Sequence, residues 1–279
     1  VVTSREWHLA GGSGGAERLY ARAWAPQSAA PAWLAVLVHG YGEHIGRYEH
    51  TAAALCEGGA VVYGLDHRGH GRSSGERVLV DDFDGVVEDL HRLVTQARTA
   101  YSTLPLVLVG HSMGGMIAAR YAQQHPEQLA GLVLSGPVLG RWSAARELLA
   151  ADEIPDAPLD ASALSRDPQV AADYTADDLV WHGGFKRGLL EALVTELERI
   201  AEHGRLTATP LLWVHGSEDA VVPVSDSRVG VEEFAGDDVT VRIFPGARHE
   251  VFNETNRDEV LEEVVRFARR CAAAHLARG

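Results

Sequence analysis

Three observations predict an α/β protein whose mainly parallel central sheet carries helices on both faces and a helical cap inserted late in the chain. Short apolar runs alternate with helix-compatible stretches along most of the 279 residues. One run, Leu106–Val109, leads through Gly110-His111-Ser112-Met113-Gly114-Gly115 directly into the helix-compatible Met116–Ala122. The stretch 138–207 interrupts the alternation and contains no strand-like segment.

In chain order, two short strands are expected first, around Trp7-His8-Leu9 and Arg18–Trp24. The intervening Gly11-Gly12-Ser13-Gly14-Gly15 reads as a hairpin loop, because the helix that a phosphate-cradling loop needs does not follow it. Further strands are expected at Trp33–Val38, Val61–Leu65, Leu106–Val109, Leu129–Leu134, Leu211–Val214 and Val239–Phe244. Unbroken apolar runs of this kind suit parallel strands covered on both faces. Within 138–207, Pro155, Pro158 and Pro168, the acidic Asp152-Glu153 and Asp177-Asp178, and a helix-like Leu189–Ile200 suggest a mobile, mostly helical cap over the strands' C-terminal edge. Residues 1–137 and 208–279 then form the core.

A formal charge of −14 argues against nucleic acid and against tight adsorption to anionic membranes, and favours an uncharged substrate. The two cysteines, Cys56 and Cys271, lie in helix-like segments and are expected as reduced core residues. Apolar runs of about 18 residues are absent, and Val1-Val2-Thr3-Ser4-Arg5-Glu6 lacks a signal pattern. A soluble, cytoplasmic monomer or weak homodimer is expected, with secretion as the alternative.

The chemistry centres on Ser112. A glycine-flanked serine between strand and helix is a nucleophile elbow: the turn strains the serine backbone, and side chains at the glycines would clash. Serine is a weak nucleophile unaided, so a base and an acid must follow. His249 lies beyond the Val239–Phe244 strand, and Asp219 beyond Leu211–Val214, with Glu218 as rival acid. His215 precedes the acid and is therefore a poor candidate base. The order Ser, Asp, His is that of α/β-hydrolases. The oxyanion hole would take one backbone N–H from Met113 and one from Tyr41, which Gly40 and Gly42 allow to point inward.

The chain resembles the monoacylglycerol lipases of the α/β-hydrolase superfamily, in the bacterial lysophospholipase-like, serine aminopeptidase S33-type group. The resemblance rests on His39-Gly40-Tyr41-Gly42-Glu43-His44 with Gly46-Arg47-Tyr48, on Leu65–Ser73, on Gly110–Gly115, on His215–Asp219, and on His249–Glu254. It implies Asp219 rather than Glu218 as the acid. It also implies a glycerol-binding polar end made by Glu43, Arg47 and the lid residue Tyr174, although Glu43 and Arg47 are spaced to pair with each other. Asp66, His67 and His70 match the family loop, so no metal or other cofactor is implied. Phe252 stands where animal members carry a histidine. The charges interleaved through Arg141–Glu153 point to short or medium acyl chains, or dissolved esters, with at most transient membrane or micelle contact.

The resemblance implies a serine hydrolase cleaving monoacylglycerols. Carboxylesterase activity on other small esters or lysophospholipids is the alternative. An iminopeptidase would need an acidic pair for a free amino terminus, for which Asp177-Asp178 is the one candidate. A catalytically silent binding module would have no need of an intact triad.

Overall fold

The computed structural model describes residues 2–12, 17–27 and 29–278. Eight strands, β1 (Val2–Gly11), β2 (Glu17–Pro26), β3 (Trp33–Val38), β4 (Ala60–Leu65), β5 (Leu106–His111), β6 (Gly131–Ser135), β7 (Leu211–Gly216) and β8 (Val239–Phe244), form one sheet in the order β1-β2-β4-β3-β5-β6-β7-β8. From β4 to β8 all neighbours pair in parallel, whereas β2 is antiparallel to both β1 and β4.

Strands β3, β4, β5, β6 and β7 are buried at every position. Their alternate side chains feed two cores, as the twofold strand period requires. Leu34, Val36, Leu106, Leu108, Leu132 and Trp213 pack on one side with helices α2 (Phe83–Ala100) and α3 (Met113–Gln124). Trp33, Leu37, Val107, Val133 and Leu212 pack on the other with α1 (Glu49–Glu57) and α8 (Arg257–Leu276). Each fully buried leucine or valine contributes about 1.5–3 kcal/mol, and the two layers together fix the sheet's register. Cys56 and Cys271 are free and buried among these residues.

The opening hairpin is longer than its sequence suggests, with ten residues on each strand paired from Val2↔Pro26 to Gly11↔Glu17. The exposed edge strand β1 tolerates Arg5 and Glu6, so an apolar pattern shows only at Trp7–Leu9. The expected turn at Ser13, Gly14 and Gly15 lies outside the described residues.

Between β6 and β7 the chain forms α4 (Ser143–Ala150), α5 (Pro168–Ala176), α6 (Arg187–His203) and no strand. Helix α5 starts where Asp167 accepts the Gln169 N–H at 3.0 Å and Pro168 occupies the first turn. Helix α6 buries Leu189, Leu190, Leu193, Leu197 and Ile200 along one stripe. The buried Glu196 on the same helix lies 3.1 Å from Arg120 on α3, tying this segment to the sheet-covering layer. Helix α7 (Val224–Phe234) connects β7 to β8. Among the described residues, no helix is long and apolar enough to cross a membrane.

Candidate active site

Ser112 sits between β5 and α3 with φ 54° and ψ −122°, a left-handed conformation rare for a residue with a side chain. Strain of this kind costs about 1–3 kcal/mol and persists only where the surroundings over-determine it. Here the Ser112 N–H donates to Ser135 O at 2.9 Å, and the Ser112 carbonyl accepts from Gly115 and Val138 at 2.9 and 3.0 Å. The neighbouring glycines are required by close approach. A side chain at Gly110 would come within 2.8 Å of Ala118 Cβ, and one at Gly114 would collide with the carbonyls of Val38 and His39.

The Ser112 hydroxyl donates to His249 Nε2 at 2.9 Å, and His249 Nδ1 donates to Asp219 Oδ2 at 2.8 Å. All three side chains are buried. Asp219 follows β7, where its Oδ1 accepts the N–H groups of Val221 and Val222 at 2.9 Å each. His249 follows β8, and the next residue, Glu250, donates its N–H to Leu164 O at 2.8 Å. Burial pushes the His249 imidazolium down, yet the Asp219 carboxylate and the hydrogen bond to it outweigh burial and leave its pKa above the ordinary 6.5. Burial likewise raises the Asp219 carboxyl, but His249 and His215 more than reverse this and hold it well below the usual carboxylate range.

Tyr41 and Met113 both line the cavity beside Ser112. Among the described residues, neither backbone N–H is taken by a protein acceptor. The loop from β3 through Tyr41 is pinned: Gly40 N donates to Glu43 Oε1 at 2.7 Å, and His39 Nδ1 donates to Gly40 O at 2.8 Å. The cavity beside Ser112, counted with its solvent-open mouth, spans about 480 Å³. Val138, Trp142, Leu159, Leu164, Leu193 and Val221 make its walls apolar.

The expected polar end is present only in part. Glu43 and Tyr174 line the cavity, whereas Arg47 is not among its lining residues. The Arg47 guanidinium donates to Glu43 at 2.7 Å and to both Glu250 oxygens at 2.7 and 2.8 Å, and it stacks 4.9 Å from the centre of the Tyr174 ring. Arg47 thus organises the carboxylates from behind, and the pairing that the spacing allowed is what forms. Burial pushes the Glu250 carboxyl up, but Arg47 outweighs it and takes the pKa down to about 2.

Glu250 and His111, both lining the cavity, were not singled out from the sequence. The signal for Glu250 was its place in His249–Glu254. For His111 it was its position beside Ser112. Asp66, His67 and His70 serve the loop: Asp66 accepts Ile45 N and Arg72 N at 2.8 Å each, and His67 N donates to His39 Nε2 at 2.9 Å. Asp177 accepts from His44 Nε2 at 2.8 Å, and Asp178 is not among the residues lining the Ser112 cavity.

The sheet order, the strained serine at the strand-to-helix turn and the hydrogen bonds from two later loops are those of an α/β-hydrolase. Residues 29–256 match the model of the "Serine aminopeptidase, S33" family, and the chain belongs to that family. It is 40% identical over 273 residues to a monoacylglycerol lipase of Mycolicibacterium smegmatis, covering 95% of this chain and 97% of that one. It is 34% identical over 257 residues to the monoglyceride lipase of Homo sapiens, covering 88% and 84% respectively. Among solved structures, a monoacylglycerol lipase of Paleococcus ferrophilus superposes with a TM-score of 0.77 at 28% identity, over 91% of this chain and 99% of that one. A thermostable carboxyl esterase of Bacillus coagulans, in complex with glycerol, superposes with a TM-score of 0.79 at 28% identity, over 97% and 99%.

Proposed function

We propose that the protein hydrolyses monoacylglycerols to glycerol and free fatty acid through an acyl-enzyme on Ser112. The observation that carries this reading is a continuous Ser112–His249–Asp219 hydrogen-bond relay opening into a cavity with apolar walls and a carboxylate-rich end. Ser112 Oγ attacks the ester carbonyl as His249 Nε2 takes its proton, and Asp219 stabilises the resulting imidazolium. The Tyr41 and Met113 N–H groups receive the oxyanion, a contribution of roughly 3–4 kcal/mol per donor. His249 returns the proton to the departing glycerol oxygen, and water repeats the sequence to free the acid. Glu43, Glu250 and Tyr174 face the hydroxyl-bearing end, with Arg47 holding the two carboxylates. The relatives' activities on monoglycerides support this choice of substrate.

Large apolar side chains exposed among the described residues are Val229, Val239, Val241 and Leu276, none of them within 138–207. Uptake of dissolved or micellar ester therefore suits the protein better than insertion of the cap into a bilayer. The engaged Arg47 favours a second reading, a carboxylesterase that accepts small esters with little regard to the alcohol. The two readings separate in the ratio of kcat/KM for a monoacylglycerol to that for the methyl ester of the same acid. A ratio of about 10 or more marks recognition of the glycerol hydroxyls, whose loss would leave polar partners unpaired. A ratio near 1 leaves the general esterase.

A further inference from the structure

Asp219 Oδ2 is approached by two histidines. His249 Nδ1 lies at 2.8 Å and His215 Nε2 at 3.0 Å. His215 is on β7 and fully buried, and Trp213, two residues earlier on the same face of the strand, is 1% exposed. Their rings meet edge to face at 5.6 Å. An indole N–H can only donate. Trp213 Nε1 gives its hydrogen to His215 Nδ1 at 3.0 Å, so Nδ1 offers a lone pair and the ring hydrogen lies on Nε2. That single N–H donates to Val222 O at 2.9 Å while sitting beside Asp219 Oδ2. Val222 is also the residue whose N–H holds Asp219 Oδ1. The loop carrying the acid is therefore gripped at both the carboxylate and the backbone by a side chain rooted in the sheet.

We propose that Trp213 and His215 are a positioning pair for Asp219: the indole fixes the His215 tautomer, and His215 fixes the carboxylate that orients His249. The inference rests on the triad reading given above. His215 is not among the residues lining the Ser112 cavity and is distinct from the base. Its N–H also draws charge from the oxygen that His249 uses, so its removal makes Asp219 a stronger partner for the imidazolium. The groups acting on His249 are Asp219, Glu250, Glu43 and, 4.8 Å away ring to ring, His111. Arg228 lies over the Trp213 ring at 5.3 Å and is the charged group at the far end of the pair.

The test is steady-state hydrolysis of p-nitrophenyl butyrate across pH by the wild type, Ser112→Ala, His215→Leu, His215→Gln and Trp213→Phe, with the Tm of each. His215→Leu is expected to lower kcat about 10- to 100-fold with KM little changed, the scale of a misplaced catalytic group. Its acid limb is expected to move up by roughly half a unit to one unit. Glutamine presents both an acceptor and a donor, so His215→Gln should restore most of kcat and return the limb. Trp213→Phe should fall between wild type and His215→Leu, and it carries the test if His215→Leu does not fold. If kcat and the acid limb of a folded His215→Leu, or of Trp213→Phe in its place, match wild type, the pair has no positioning role. A loss confined to KM, or one that glutamine does not repair, overturns the proposal as well. An active Ser112→Ala removes the triad reading and the pair together, whereas an inactive Ser112→Ala beside a normal His215→Leu removes the pair alone.

Discussion

At the residue scale, the contact between Asp219 and His249 raises the imidazolium and depresses the carboxyl, and His215 adds to the depression of Asp219. Because the His249 pKa lies above its ordinary value, the base is blocked by a proton at mildly acid pH, and kcat/KM is expected to rise with pH through a midpoint above 6.5. A pH profile on a dissolved ester measures that midpoint. Asp219→Asn retains the shape but loses the charge and the correct His249 tautomer, so kcat should fall by about 10⁴-fold, read in the same assay. The residues of the Ser112–His249–Asp219 relay could be proposed from the sequence by glycines around Ser112 and the ends of apolar runs before the acid and His249, while the choice of Asp219 over Glu218 came from the resemblance. The polar end of the cavity was less legible. Spacing put Arg47 one helical turn from Glu43, but it could not show that Glu250, far along the chain, would take the other face of the guanidinium. His215 was set aside as the base, and it is His249 that meets Ser112, but the contact of His215 with Asp219 depends on how the loop folds back after β7, which no local pattern encodes.

At the scale of elements, the elbow is a tightly constrained joint. Helix α3 crosses β3 so closely that Gly114 lies against the Val38 and His39 carbonyls. Gly114→Ala is therefore expected to destabilise the protein by about 1–3 kcal/mol or more, through overpacking against backbone that cannot move aside. Urea unfolding beside wild type measures this, and an unchanged midpoint would show that the approach is looser than described. The buried strands were readable because covered parallel strands are apolar throughout. The hairpin was read too short because an edge strand needs few apolar residues. The helices between β6 and β7 were recognised as helical in general, but only α6 has enough periodic leucines to be placed from sequence.

For the whole molecule, the buried carboxylates make stability depend on acid. Glu250 and Asp219 have folded-state pKa values below their unfolded ones, so their contribution is present above about pH 4.5 and is lost as pH falls toward the folded values. His249 has the opposite sign: its contribution is present below pH 6.5 and is lost as pH rises through its raised folded value. Unfolding free energy should therefore fall progressively as pH drops from about 4.5 toward about 2, and Glu250→Gln should flatten that drop. Equilibrium urea titrations at several pH values measure the slope. The sheet, the two cores and the segment between β6 and β7 converge on one point, the Ser112 hydroxyl, and the most direct measurement is made there. Intact-mass analysis after exposure to a fluorophosphonate should show one adduct on the wild type, mapped to Ser112, and none on Ser112→Ala. A wild type that stays unmodified, or a Ser112→Ala variant that still takes the label, would contradict an activated serine at the centre of this fold.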